Sequence, residues 1–454
     1  MVDRILRFFK SGAKMDRRES LDFTAWACEN AIRFSPFDIF NADIEMLSPL
    51  DEILAVKRVV FLGEEDHWVH EKNDFRILLL RYLISRGWRH VGEELGRSDG
   101  LRVDRYLETG DSSHLSGIAT YGCRDALRTD RDDRPSGILK ESYDRYPVKE
   151  FASEQTRLAE ALLHLNQTRK AGTDRIHFFG FDIDALAGGG YRDLEELLGS
   201  EGSDILISRI RDRLKTIPGE SVLEEISRLK SLAAMIADEG RQLRLSMGEE
   251  RYLNLLHWTE TLSDSFEFIF TANPAADMKT LNRAMAFREK VMSRHVSQVL
   301  SHMKPDDRLV LMGHNRHLSK DMHLIRNKGG AVPGGRRTNS LGAFVNEWTG
   351  GSVFSIWMLH DRGLSSQPFS SLSSEYITVP GSLNAALSEV GEAFLLLTAS
   401  DDRRADVLKR PLEIAGIYNI PYRTAIAKQT DAIFFRREVS PLRSSGLLNA
   451  SGGS

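Results

Sequence analysis

VVFLGEEDH, at residues 59–67, is an apolar run that stops at a glycine and passes at once into three acids and a histidine. VGEEL (91–95), FFGFDID (178–184) and LVLMGHNRH (309–317) repeat the design. A parallel strand covered on both faces reads as a continuous run of Val, Ile, Leu and Phe, without polar alternation. Ligands of open α/β sheets sit just beyond the carboxyl ends of such strands. If the four runs are neighbours in one sheet, Glu64, His67, Glu94, Asp182, His314 and His317 converge on one cleft.

The rest of the chain organises around these runs. After a helix start at 46–54 comes the first strand, 58–63, and then a helix over 70–86. Its apolar residues Phe75, Leu79, Tyr82 and Leu83 recur at helical spacing, and Gly87 stands where a C-terminal cap is expected. With the second strand at 89–93 this makes a βαβ unit, which should be right-handed. Residues 109–148 are charged and aperiodic, an irregular excursion placed to cover the cleft. A helix over 154–169 leads to the third strand at 176–181. From 194 to 303 the pattern is helical, with Val222, Ile226, Leu229, Leu232 and Ile236 spaced by three or four. Strands then resume at 308–312, 353–359, 393–399 and 431–436, with a Gly-rich loop at 329–351. The expected class is α/β, a mostly parallel central sheet flanked by helices, with an inserted helical layer. The division that follows is a basic leader at 1–37, an α/β core in two parts at 38–193 and 304–443, a helical insertion at 194–303 and a disordered tail at 444–454.

Composition narrows the partners. The 454 residues are 41% hydrophobic, enough for a large core, and 61 basic against 65 acidic residues give a net charge of −4. No global field favours nucleic acid or an anionic membrane surface. Cys28 and Cys123 are the two cysteines; they read as free thiols of a reducing compartment, which points to the cytoplasm. No stretch reaches the roughly 18 consecutive apolar residues that span a bilayer. In residues 1–20, Arg4, Arg7, Lys10 and Lys14 surround Ile5, Leu6, Phe8 and Phe9. Asp3, Asp16 and Glu19 argue for a solvated leader over a transit peptide.

The chain has no GxSxG nucleophile elbow, no GxxxxGK[ST] phosphate loop, no GxGxxG and no HExxH. What remains is a set of carboxylates and imidazoles suited to moving protons or holding a metal. A neutral imidazole can take a proton from water, and an adjacent carboxylate fixes its tautomer and stabilises the imidazolium. Glu64 and His67 are the right types for that pair. The bland alternative for Glu64 and Glu94 is capping of the next helix; for His314 it is bonding loop backbone. His67 with His70, and His314 with His317, are i, i+3 pairs, and with Glu64 and Glu94 they form a conceivable Zn²⁺ or Mn²⁺ set. The acid–base reading, without cofactor or metal, is preferred. Trp68 and His70 read as pocket wall, Asp182 and His317 as substrate-side groups, and His360 as either cleft lining or solvent-facing.

These motifs resemble the erythromycin esterase family. GEEDH (63–67) is similar to that family's Gly-Glu-x-x-His motif, and Glu94-Leu95-Gly96 to its Glu-x-Gly after the second strand. FGFD (179–182) resembles the third-strand motif and HNRH (314–317) the His-Asn-x-His motif. Weaker matches in the same order are YLETG (106–110), REKVM (288–292), Ser340-Leu341-Gly342 and the closing strand from Asp431. The resemblance spans roughly residues 38–441. It implies an α/β hydrolase that activates water directly, without an acyl-enzyme, on a small-molecule ester or lactone. In it His67 would be the general base, Glu64 its carboxylate partner and Glu94 a holder of the water or the imidazole. His314 would stabilise the oxyanion or protonate the leaving alkoxide. Two positions depart: Trp68 replaces a small residue, and His70 stands where an Arg often follows. The family also includes members tied to exopolysaccharide biosynthesis, so the resemblance carries reaction class further than substrate.

Overall fold

The computed structural model describes residues 13–115, 148–184, 194, 197–198, 204–217, 221–271, 278–327, 339–366, 375–417 and 420–443. The leader up to residue 12, most of the 109–148 excursion, the first part of the Gly-rich loop and the tail from 444 lie outside the described residues. The strands are β1 (Ile32–Arg33), β2 (Val59–Glu64), β3 (His90–Gly96), β4 (His177–Asp182), β5 (Leu309–His314), β6 (Arg326–Asn327), β7 (Val353–Leu364), β8 (Glu375–Tyr376), β9 (Ala393–Leu397), β10 (Pro411–Ile414), β11 (Tyr422–Ala425) and β12 (Ala432–Val439). The chain divides into two compact units, the first comprising residues 1–92, 139–177 and 299–454, the second 93–138 and 178–298.

The first unit is built on a sheet of order β1-β9-β12-β7-β2-β5. Its interior pairs, β12 with β7, β7 with β2 and β2 with β5, are parallel, while β9 and β1 close one edge antiparallel. At the other edge the starts of β3 and β4 follow β5 in order. His90 N–H donates to Arg308 O and His177 N–H to Arg89 O at 2.8 Å. The class is therefore α/β with a central, mostly parallel sheet. Every residue of β2 and of β5 is buried, which is why both read as unbroken apolar runs in the sequence.

Strand alternation sorts the core into two layers. Trp357, Leu359, Ile433, Phe435, Phe394 and Leu396 pack with Phe23 and Trp26 of the helix Arg17–Asn30. On the opposite face Phe434 meets Phe34 at 5.6 Å and Phe75 of the helix Glu71–Ser85 at 4.7 Å between ring centroids. Each such side chain contributes ~1.5–3 kcal/mol by leaving water. Gly87, just past that helix, has φ +92°, the left-handed geometry that ends a helix at a glycine. The stretch at 46–54 is a 3₁₀ helix, Ile44–Leu50, passing into a short α-helix, Asp51–Ala55. A small antiparallel sheet of order β10-β11-β6 has no counterpart in the sequence reading. Its strands are two to four residues long, too short to show a period.

The second unit carries helices Arg97–Thr109, Ile205–Lys215, Val222–Asp238, Gly240–Met247 and Glu249–Thr271, and most of Met278–His302. Leu229, Leu232 and Ile236 bury against Leu255, Trp258 and Leu262, as one helical stripe meeting another. Ser221 caps the helix that follows by accepting from Glu224 N–H at 3.2 Å. Val222, first of the apolar series, is instead exposed in that opening turn. Among the described residues no helix is long and apolar enough to cross a membrane.

Candidate active site

The carboxyl ends of β2 and β5 place the first group of side chains. Glu64 lies opposite His314 in the parallel register, and Asn315 N–H donates to Glu64 O at 2.8 Å. Alternation turns Glu64 to one face of the sheet and its neighbours Gly63 and Glu65 to the other. Glycine at position 63 leaves room for its neighbours: a Cβ there would lie 2.3 Å from Asn315 Oδ1 and 2.9 Å from Trp357 Cδ1, so one of them would have to shift. The G-E-E order thus makes room for the Asn of HNRH while aiming one acid at the histidines.

Glu64 is wholly buried. Its Oε1 is 2.5 Å from His67 Nδ1, its Oε2 2.9 Å from Arg76 Nη2, and Lys72 Nζ stands 3.7 Å from Oε1. Lys72 and Arg76 are one turn apart on the helix Glu71–Ser85, so both reach the same carboxylate. Burial by itself would raise the Glu64 pKa; the two cations and the His67 hydrogen bond outweigh it and hold the group well below the usual carboxylate range. An ionised carboxylate has no proton to give, so His67 Nδ1–H is the donor, and in the neutral ring the lone pair lies on Nε2.

His314 has the complementary arrangement. Arg316 N–H donates to its Nδ1 at 3.1 Å, so the neutral ring carries its proton on Nε2. The His67 and His314 ring centroids are 5.2 Å apart at 60°. His317 lies 6.3 Å from His314 by centroids, and its N–H donates to His314 O at 3.0 Å. Gly342 N–H in turn donates to His317 O at 2.7 Å. A Cβ at Gly342 would meet the Leu318 carbonyl carbon at 2.5 Å, which accounts for the glycine of the Ser340-Leu341-Gly342 motif. Within this unit the structure therefore brings together Glu64, His67, His314 and His317.

Trp68 and His70, expected as pocket wall, are each held by neighbouring groups. His70 Nδ1 bonds Glu154 Oε1 at 2.5 Å and its Nε2 is 3.6 Å from Asp74 Oδ2, tying the helix Val148–Gln167 to the helix Glu71–Ser85. Trp68 is buried; its N–H donates to Asp66 Oδ1 at 2.9 Å and its ring is edge-on to His67 at 6.2 Å. Tyr376 donates its hydroxyl to Asp66 Oδ2 at 2.5 Å and lies against His360 at 4.3 Å. His360 does not face solvent: it is buried, and burial pulls its pKa down to about 4.

The second unit holds the carboxylates Glu94 and Asp182. Arg288 Nη2 is 2.8 Å from Glu94 Oε1, and its Nε is 2.9 Å from Asp182 Oδ1. Burial would lower the Arg288 pKa; Asp182 and Glu94 more than compensate and raise it. Neither Glu64 nor Glu94 is an N-cap: the helix after β2 has His70 and that after β3 has Gly96 in that position, both without a side-chain cap bond. Arg76, Lys72, Glu65 and Tyr422 were missed from sequence. The one available signal was a basic i, i+4 pair, Lys72 and Arg76, in the opening turns of a helix whose later stretch, 77–84, is apolar except for Arg81. Among the described residues no group of three or more His, Cys, Asp or Glu could hold a metal ion.

Comparison with known proteins agrees with the fold. The family model described as Erythromycin esterase matches residues 85–439. This span includes Glu94, Asp182, Arg288, His314 and His317, and begins after Glu64 and His67. An Escherichia coli protein named erythromycin esterase type II is 23% identical over 350 residues, 70% of this chain and 74% of that protein. Three solved structures, each 17% identical, share the architecture. A Bacillus cereus protein has a TM-score of 0.70 over 94% of this chain and 99% of its own. A succinoglycan biosynthesis protein scores 0.67 over 95% and 100%. An erythromycin esterase mutant, EreC in its open conformation, scores 0.58 over 90% and 96%.

Proposed function

The chain belongs to the erythromycin esterase family, and from that premise we propose that it hydrolyses a carboxylic ester or lactone of a small molecule by direct attack of an activated water. The observation that carries this reading is that the Nδ1 atoms of two neighbouring rings are engaged by opposite partners, a carboxylate for one and a backbone N–H for the other. His67 offers a lone pair at Nε2 because Glu64 engages Nδ1, and His314 offers a proton at Nε2 because Arg316 N–H engages Nδ1.

In the proposed reaction His67 Nε2 removes a proton from water as the oxygen adds to the carbonyl carbon. The imidazolium that forms is stabilised by ionised Glu64, which stays charged because Arg76 and Lys72 stand beside it. The His314 Nε2–H donates a hydrogen bond to the tetrahedral oxyanion or to the departing oxygen, and as the carbon–oxygen bond breaks the alkoxide takes the proton that His67 Nε2 removed from water, which returns the His67 ring to neutral. An alkoxide is too basic to depart unassisted, and a positioned acid or base supplies ~10²–10⁴ in rate. No side chain forms a covalent bond to the acyl group. Cys28, a free and exposed thiol, fits the reducing cytoplasm proposed as the compartment.

The test is a panel of esters and lactones, macrolides included, offered to wild type and to His67→Ala. The reading expects turnover of at least one compound by wild type and its loss in the variant, with the variant's fold intact by circular dichroism. Equal turnover by both proteins would refute it.

A further inference from the structure

Glu65 follows Glu64 directly, is buried, and has no part in the proposed reaction. It lies on the opposite face of the sheet from Glu64, where its Oε2 accepts two hydrogen bonds, from Asn315 Nδ2 at 2.9 Å and from Tyr422 Oη at 2.8 Å. Asn315 is the second residue of HNRH. Its backbone N–H is held by Glu64 O, and its side-chain oxygen fills the space left by the missing Cβ of Gly63. The turn it belongs to runs from His314 to Leu318, with His317 N–H and Leu318 N–H both donating to His314 O. From this turn Arg316 N–H reaches His314 Nδ1, and the Arg316 guanidinium lies 5.8 Å from the Tyr422 ring centroid. One buried carboxylate thus clamps the residue between the histidine that reacts and the amide that fixes its tautomer.

We propose that Glu65 is a positioning residue for His314, acting through the Asn315 clamp with Tyr422 as the second arm. The proposal rests on the reading of His67 and His314 as the reacting pair. A removable clamp on the residue next to His314 matters because misplacing a reacting group by about 1 Å costs on the order of a hundredfold in rate.

The ionisation of Glu65 adds a second consequence. The groups facing it are Asn315, Tyr422, Arg316 and the Ile417 backbone; burial outweighs their combined pull and raises its pKa to about 7. Asn315 and Tyr422 are donors, so both arms strengthen when the carboxyl ionises. The clamp therefore tightens as pH rises through neutrality.

The experiment compares wild type with Glu65→Ala, Glu65→Gln and Tyr422→Phe. It reads kcat and KM from pH 5 to 9 on the best ester of the panel, and the ¹⁵N imidazole signals that report the His314 tautomer. Glu65→Ala is expected to lower kcat tenfold to a hundredfold with little change in KM, and to mix the His314 tautomers. Glu65→Gln, which keeps an acceptor for both arms, should recover most of that loss and flatten the pH dependence near 7. Tyr422→Phe, less disruptive than the Ala variant, should give a smaller fall of the same kind. Should wild type turn over no ester, the reading of function fails, and the ring signals alone decide this proposal. A Glu65→Ala protein that folds with wild-type ring signals, or with wild-type kcat and pH profile, would overturn it. If that variant does not fold, Tyr422→Phe with unaltered ring signals and pH profile would do so.

Discussion

His67 and His314 stand 5.2 Å apart by ring centroid with their Nδ1 atoms engaged by opposite partners, an ionised carboxylate for the first and a backbone N–H for the second. Two histidines of the same intrinsic chemistry are thereby set in different tautomers when neutral. One becomes an acceptor at Nε2 and the other a donor, with no change of pH needed to tell them apart.

The carboxylate that sets the first of these states is itself held by Arg76 and Lys72. Arg76→Met leaves Glu64 buried with Lys72 and the His67 hydrogen bond but without its nearest cation. Breaking a buried pair in this way costs ~3–5 kcal/mol, which urea denaturation at pH 7 would read directly. Because the folded pKa of Glu64 is depressed, its contribution is present above the unfolded value and is lost as pH falls into the acid range. The variant should therefore show a shallower loss of stability on acidification than wild type. A slope equal to that of wild type would mean that Arg76 does not hold the charge.

Glu65 has the opposite sign. Its folded pKa is raised from 4.5 to about 7, so between those values the folded protein binds a proton that the unfolded chain has released. Stability then declines as pH rises through that window and levels off above about 7. Over such a window the effect is on the order of 3 kcal/mol. Denaturant melts of Glu65→Gln against wild type should show the variant gaining relative stability from pH 4.5 to 7 and no further above it.

Gly63→Ala tests the close approach. Its Cβ would sit 2.3 Å from Asn315 Oδ1 and 2.9 Å from Trp357, both in a packed interior. Overpacking of this kind costs ~1–3 kcal/mol, and the displaced Asn315 should take His314 with it. Thermal melts would show the lost stability, and turnover should fall further than the melt alone explains.

Much of this was legible in the sequence. The runs ending at Glu64 and His314 read correctly as buried parallel strands because both faces are covered, and adjacency in the sheet then brought Glu64, His67 and His314 together. Arg76 was not legible. A basic residue inside a helix ordinarily reads as its solvated face, and only the packing shows that this face turns inward onto a carboxylate. Glu65 was hidden for a related reason: beside Glu64 it looked like a second copy of the same acid, whereas alternation sends it through the sheet to Asn315 and Tyr422. Tyr422 sits on β11, a four-residue strand in a small sheet that shows no period. His360 could not be placed by sequence between cleft and solvent, since a histidine at a strand end is compatible with both.

The acid–base reading also needs no metal for the chemical step. Turnover measured after extended dialysis against EDTA should match the untreated protein, and a loss restored by Zn²⁺ or Mn²⁺ would move the mechanism to metal-activated water.

The most direct test of the central claim is a double-mutant cycle on kcat/KM with the best ester substrate, using His67→Ala, His314→Ala and the pair. If one water-attack step uses both rings, each single variant should lose ~10²–10⁴, and the double variant should lose far less than the product of the two, since groups that act as a unit are not additive. Single variants that retain wild-type kcat/KM, or losses that simply multiply, would contradict it.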